Sequence, residues 1–338
     1  MADTTAEVRD SRGEWQPEEL PTVVPLFRWP IKIGGILKFL FWPGGYLLGW
    51  NSVYIGVGVL AWLFLTPSLA RMATFRVDWI ALIYLRNAAL LTLFAGGAHL
   101  RLYIKRSQGT HFKYNDKWLS TNNKKFLFRN QTKDNIFWNF ASGCVIWTGY
   151  EVVSHWAFAN GIIPFVSFRE NPVYVILILL AIGFMRDMHF YWVHRVSHWK
   201  PLYKSAHYLH HKNVNIGPWS GMSMHPIEHI LYLSGIFLHW LIPSHPVHAL
   251  AHVMHAGLSP TPGHTGFERF VLKTGQEEKK EQTVGVPGGY FHYLHHKYFT
   301  VNFGGGMVPF DKWFGSWDDG SPEVHEKMME KRKRKKSA

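Results

Sequence analysis

The strongest constraint on how this chain folds is a five-residue pattern that occurs twice, His207-Tyr-Leu-His210-His211 and His292-Tyr-Leu-His295-His296. A third cluster, His194-Arg-Val-Ser-His198, stands just upstream of the first. On a helix, residues three and four apart share a face, so each cluster aims two or three imidazoles at one point. Imidazole is the commonest metal-binding side chain, and eight of them suit two metal ions rather than one. With 21 histidines in 338 residues, a chance copy of the pattern is expected roughly 0.08 times, so two copies need another cause. Hydrogen-bonded core histidines account for a lone His but not for this set. The fold must therefore carry distant stretches of chain to a common point.

Apolar spans decide what surrounds that point. Aromatic residues make up 16% of the chain, with 16 Trp, a composition typical of proteins that cross membrane interfaces. Mean hydropathy is near zero, so apolar spans coexist with a substantial polar part. The predicted spans are Tyr46–Thr66, Trp79–Leu100 (with Arg86 as a buried charge), residues 136–159 and Val173–Met185. Ile33–Phe41 is expected along the interface, and Ile227–Pro243 with His245–Leu258 as a helical pair too short to cross fully. From Ser259 onward the chain is polar. The predicted class is all-α: an integral membrane bundle of four or more helices under a cytoplasmic, histidine-rich cap. The expected divisions are a polar tail (1–32), membrane helices with a basic loop (33–135), a catalytic domain (136–320) and a basic tail (321–338).

The net charge of +13 is concentrated. Residues 101–133 hold nine Lys/Arg against Asp116, and residues 321–338 hold seven against three Glu. No basic helix interleaved with stacking aromatics supports nucleic-acid reading. Basic loops beside apolar spans mark the cytoplasmic face instead, and an even number of crossings before His194 returns the chain to that side. The loop around Asn160–Asn171 then lies opposite. No cleavable signal peptide is read at the N-terminus. The ending Lys335-Lys336-Ser-Ala is similar to the dilysine retrieval signal of the endoplasmic reticulum; in a bacterium the chain would sit in the inner membrane.

A single cysteine, Cys144, excludes Cys-type zinc sites, iron–sulfur clusters and an intrachain disulfide. Zinc, iron, copper and nickel all accept imidazole. A metal pair at the hydrocarbon boundary can meet a lipid, and iron, unlike redox-inert zinc, can activate oxygen toward an unactivated C–H bond.

In these clusters the chain resembles the sterol desaturase and fatty acid hydroxylase superfamily of membrane di-iron oxidases. The resemblance lies in Asp187-Met-His-Phe-Tyr-Trp-Val-His194-Arg-Val-Ser-His198, His207–His211, His225-Pro-Ile-Glu228 and the stretch from His292 to Gly315. That last stretch is similar to the sterol C5-desaturase ending. The resemblance covers residues 136–320 well. It implies that His194, His198, His207, His210, His211, His292, His295 and His296 are catalytic and bind two irons, with O2 as co-substrate. Family members use further histidines between the second and third boxes. His255 fits best, with His225, His252 and His189 as additional candidates. Asp187 and Glu228 are expected to orient imidazole N–H groups. Of the remaining histidines, His99, His111, His155 and His239 read as interfacial, while the sequence leaves His229, His245, His248 and His264 open. The charged loop Gln276–Gln282 is longer than in the C5-desaturases. No haem, flavin or nicotinamide motif is present, so electrons are expected from an external donor such as cytochrome b5 or a ferredoxin. The expected activity is desaturation or hydroxylation of a membrane lipid, a sterol first. The alternatives are a fatty-acyl, sphingoid or ether-lipid hydroxylase, and a catalytically silent metal- or lipid-binding membrane protein.

Overall fold

The computed structural model of the chain describes residues 9–10, 12–18, 20, 23–273, 281–286 and 288–337. Most of the charged loop, residues 276–280, lies outside them, as does Ala338 of the tail. The molecule is 61% helix. Near the N-terminus α1 (Ile33–Phe41) has no buried residue, and α2 (Trp50–Phe64) follows. Next comes α3 (Val77–Ile104), a 28-residue helix interrupted by π-helical turns at Thr92–Gly96 and Leu100–Ile104. Then α4 (Gln131–Trp138) runs through a π-helical turn, Asn139–Cys144, into α5 (Val145–Ala159).

The 26-residue α6 (Pro172–Ser197) opens with proline at its first position, where a missing N–H costs nothing. After it come α7 (Tyr208–His211), α8 (Pro226–Leu233), α9 (Pro246–Leu258), α10 (Gly289–Tyr298) and the basic α11 (Pro322–Ser337).

Among the described residues α3 and α6 are long and apolar enough to cross a membrane. Only 28% and 22% of their most apolar stretches are buried, whereas a soluble core helix would be mostly covered. Leu82, Leu85 and Leu93 on α3 and Val173, Ile176 and Leu177 on α6 face outward. The other expected spans take different forms. At 15 residues, α2 reaches only about 22 Å, short of a hydrocarbon core of about 30 Å. The stretch 131–159 is a run of helical segments that turns Asn139, Glu151 and His155 inward.

Arg86 is not left as a bare charge. It is ion-paired with the buried Glu151, and its Nη1 donates to Thr66 Oγ1 at 3.1 Å. The amide of Asn87 donates to the second oxygen of Glu151 at 3.2 Å. In so apolar a setting one unpaired member would be costly, so the group is satisfied as a unit.

The core is built around α9, all thirteen residues of which are buried against α2, α5 and α6. Backbone approach there is close: a Cβ on Gly58 would lie 2.6 Å from Ala251 Cα. The same helix sends His255 to the cavity that the histidine clusters line.

The all-helical expectation is corrected at one place. Strands β1 (Arg269–Lys273) and β2 (Gln282–Gly285) pair antiparallel, with Phe270 opposite Val284. Their Phe, Val and Thr residues suit a short pleated ribbon. The ribbon caps α2, where Trp50 Nε1 donates to Gly285 O at 2.9 Å.

Candidate metal centre

The histidine clusters meet as two groups. His194, His198, His207, His211 and His295 form one, and His210, His264, His292 and His296 form the other; within each group the ligand atoms lie within 4.8 Å of one another. Each repeated box serves both groups. His207 and His211, four apart, point to the first group while His210 points to the second. In α10 the assignment reverses: His292 and His296 go to the second group and His295 to the first. This follows from helix geometry, because rings four apart are separated by about 40° around the axis and the ring between them is turned aside.

The far side of most rings is fixed. His194 Nδ1 donates to Phe303 O at 2.7 Å, His295 Nδ1 to Val301 O at 2.6 Å and His264 Nδ1 to Pro260 O at 2.8 Å. His210 Nδ1 faces Ser223 O at 3.3 Å, and His207 Nδ1 meets Glu228 Oε1 at 2.7 Å. A carbonyl only accepts, so the four rings held by carbonyls carry their proton on Nδ1 and present a bare Nε2 lone pair inward. The Nε2 atoms then face one another: His198 to His207 at 2.9 Å, and His198 and His295 each to His211 at 3.1 Å. In the second group His292 lies 2.9 Å from His264, and His264 lies 3.3 Å from His210. At His264 and His210, where both Nδ1 atoms are held by carbonyls, two lone pairs face each other and repel unless a cation sits between them. Ligand nitrogens about 2.1 Å from a metal are separated by about 3.0–3.4 Å in octahedral or tetrahedral arrangements, which matches these spacings. The residues therefore fit two metal ions.

Burial keeps the rings in the binding form. It pushes His207 down to about 3 and His264 down to about 4, from an ordinary 6.5. The rings of His210, His211, His292, His295 and His296 are driven well below their usual value, again chiefly by burial. Neutral imidazole, the metal ligand, is thus present at neutral pH.

A cavity opens against both groups. It is lined by His194, His207, His210, His264 and His292 on one side and extends to Trp50, Asn51 and Tyr54 of α2. Its volume is about 170 Å³, comparable to core cavities that take up a benzene-sized molecule. A ring or one end of a lipid fits, with the remainder outside.

The other expected site residues lie elsewhere. His255 is in neither group; its Nε2 faces Asn51 Oδ1 at 3.1 Å at the far wall of the cavity. His225 caps α8, accepting from Ile227 N at 3.2 Å. His252 pairs with His239 at 3.0 Å, and His189 with Ser234 Oγ at 3.0 Å. Glu228 touches a ring of the first group, as expected of an orienting carboxylate. Asp187 is bonded to none of the rings: its Oδ2 accepts from Val308 N at 2.8 Å and so pins the loop whose Phe303 carbonyl holds His194. His155 and His239 are fully buried rather than interfacial. His264 joins the second group although no box surrounds it, and its spacing in the sequence carries no sign of this.

Residues 178–316 match the fatty acid hydroxylase family. Over this segment the chain is similar to the sterol desaturase and fatty acid hydroxylase superfamily. A Delta(7)-sterol 5(6)-desaturase of Gibberella zeae is 28% identical over 151 residues, covering 41% of each chain. A putative methylsterol monooxygenase of Dictyostelium discoideum is 26% identical over 148 residues, 43% of this chain and 52% of the relative. A very-long-chain aldehyde decarbonylase of Oryza sativa is 28% identical over 182 residues, 50% of this chain and 28% of the relative. The chain thus spans about half or less of the length of these relatives. No solved structure matches.

Proposed function

We propose that this chain is an oxygen-dependent membrane oxidoreductase that desaturates or hydroxylates a membrane lipid, a sterol first. In this reading two irons are held by the eight box histidines together with His264. The observation that carries it is the convergence of bare imidazole nitrogens into two adjacent groups on the wall of one cavity. Iron bound there supplies the redox chemistry needed to use O2 against an unactivated C–H bond, which zinc does not. The chain's own residues do the rest. Glu228 and the carbonyls of Phe303, Val301 and Pro260 hold the rings in one tautomer. Phe190, Met224 and Tyr232 line the cavity and limit access of water. Desaturation consumes O2, two electrons and two protons and yields an alkene and two waters; hydroxylation yields an alcohol and one water. The electrons come from a separate protein, cytochrome b5 or a ferredoxin. The sterol desaturases among the relatives support the sterol, and the metal-bearing face is assigned to the cytoplasm, with the protein in the endoplasmic reticulum or a bacterial inner membrane. The match to the fatty acid hydroxylase family favours a second reading, hydroxylation of a fatty-acyl, sphingoid or ether lipid.

Two measurements test the proposal. Purified protein reconstituted with iron is expected to hold two metals per chain, and activity to return with iron and not with zinc. Lipid profiling of cells with and without the protein is expected to show one oxidised lipid lost. One metal per chain under iron-replete conditions, or an unchanged lipid profile, overturns it.

A further inference from the structure

We propose that Arg186 anchors the polar oxygen of the lipid and thereby selects a carbon only a few bonds from that oxygen for oxidation; this rests on the lipid-oxidising role argued above. Arg186 lines the cavity from α6, one turn before Phe190 and two before His194. Its Nη2 donates to Tyr232 OH at 2.9 Å, and that hydroxyl donates onward to Ala256 O at 2.7 Å. The guanidinium lies 4.6 Å above the Phe190 ring. Stacking and the Tyr232 bond therefore hold it in one place. Its Nε is buried with no acceptor. Among the described residues no carboxylate is ion-paired with it, and the neighbouring Asp187 directs Oδ2 to Val308 N. A guanidinium stays charged, and with Nη2 on Tyr232 and Nε enclosed it has one more nitrogen, Nη1, with no hydrogen bond to the described residues. An oxygen arriving in the cavity would meet the guanidinium there.

Position gives the anchor its consequence. The Phe190 ring centre is 4.9 Å from that of His194, which puts the guanidinium within about 9.5 Å of a ring in the first group. A lipid held by its oxygen at Arg186 presents nearby carbons to the metals, while its hydrocarbon runs toward Trp50 and Tyr54. A lipid oxidised far down its chain could not satisfy both contacts. Two sources share this chemistry, a sterol hydroxyl and a lipid carboxylate, and both accept from a guanidinium.

The full-length, iron-loaded protein in detergent distinguishes them by retention of radiolabelled probes. One pair is a Δ7-sterol alcohol and its 3-deoxy analogue; the other is a long-chain fatty acid and the hydrocarbon of equal length. The wild type is expected to prefer the oxygen-bearing member of one pair by about tenfold or more, the scale of a hydrogen bond to a charged group. The pair that shows the preference identifies the source. Arg186→Met should abolish the preference while leaving two metals and the affinity for the oxygen-free probe within about twofold. Arg186→Lys, which keeps the charge but not the fork, should retain part of it. A preference unchanged in Arg186→Met and Arg186→Lys overturns the anchor, as does a wild type with no preference in either pair. Lipid bound without preference by a two-iron protein removes the anchor and leaves the proposed function standing. No binding of any probe removes both.

Discussion

Most rings at the centre are held at their outer nitrogen, and that outer bond decides which inner nitrogen meets the metal. Among the described residues Glu228 is the one carboxylate that does this, through His207 Nδ1. Replacing it with Gln keeps the shape but exchanges the carboxyl at His207 Nδ1 for an amide, so iron affinity is expected to fall about 10- to 100-fold in chelator competition. His264 and His255 separate the two ways of choosing a ninth ligand. His264→Ala should lower iron from two toward one per chain, whereas His255→Ala should leave two; metal analysis of both purified variants checks this. The reverse result would restore His255, the residue favoured from family resemblance. At this scale the box histidines were legible, since their spacing alone sets their faces. Two other histidines also carried a readable sign: His225 and His245 each precede a proline, and proline at the first helical position marks its predecessor as a cap.

Helices set the precision of the site. The division of each box between two groups needs α7 and α10 to face each other with opposite assignments. Close approach of α2 to α9 at Gly58 leaves no room for a side chain. Gly58→Val is expected to destabilise the protein by about 1–3 kcal/mol, seen as a lower melting temperature in detergent, unless the helices part. The four expected spans all correspond to helical regions, yet only α3 and α6 keep the length and exposed apolar surface of a crossing among the described residues. Hydropathy reports composition, whereas crossing also depends on where tertiary packing bends or covers a helix. The β1–β2 ribbon was hidden for a related reason: five and four residues of mixed polarity resemble a loop until they pair.

For the molecule as a whole, charge and burial give separate expectations. The basic loop of residues 101–133 and the loop of residues 160–171 should lie on opposite sides of the membrane, so glycosylation tags at Lys124 and Asn160 should report different sides. The same side for both would remove the proposed route for a cytoplasmic electron donor. Burial makes the metal-free protein acid-sensitive. His207 is held down to about 3 and His264 down to about 4, while an unfolded chain takes up protons near 6.5. Stability is then complete above about 6.5 and declines as pH falls below it, because the unfolded state binds more protons. The melting temperature of the iron-stripped protein should be flat from pH 8 to 7 and clearly lower at pH 5.

By itself the sequence determined the kind of site and its setting. Imidazoles spaced four apart share a helical face, and an apolar run as long as α6 must find an apolar surrounding. The tertiary structure alone decided which rings of different boxes meet in one group, that His264 joins them while His255 turns to Asn51, and that Arg186 stands in the cavity with Nε lacking an acceptor. The reason is physical: local periodicity fixes where a ring points from its own helix, but which distant groups reach the same point depends on how helices and loops pack.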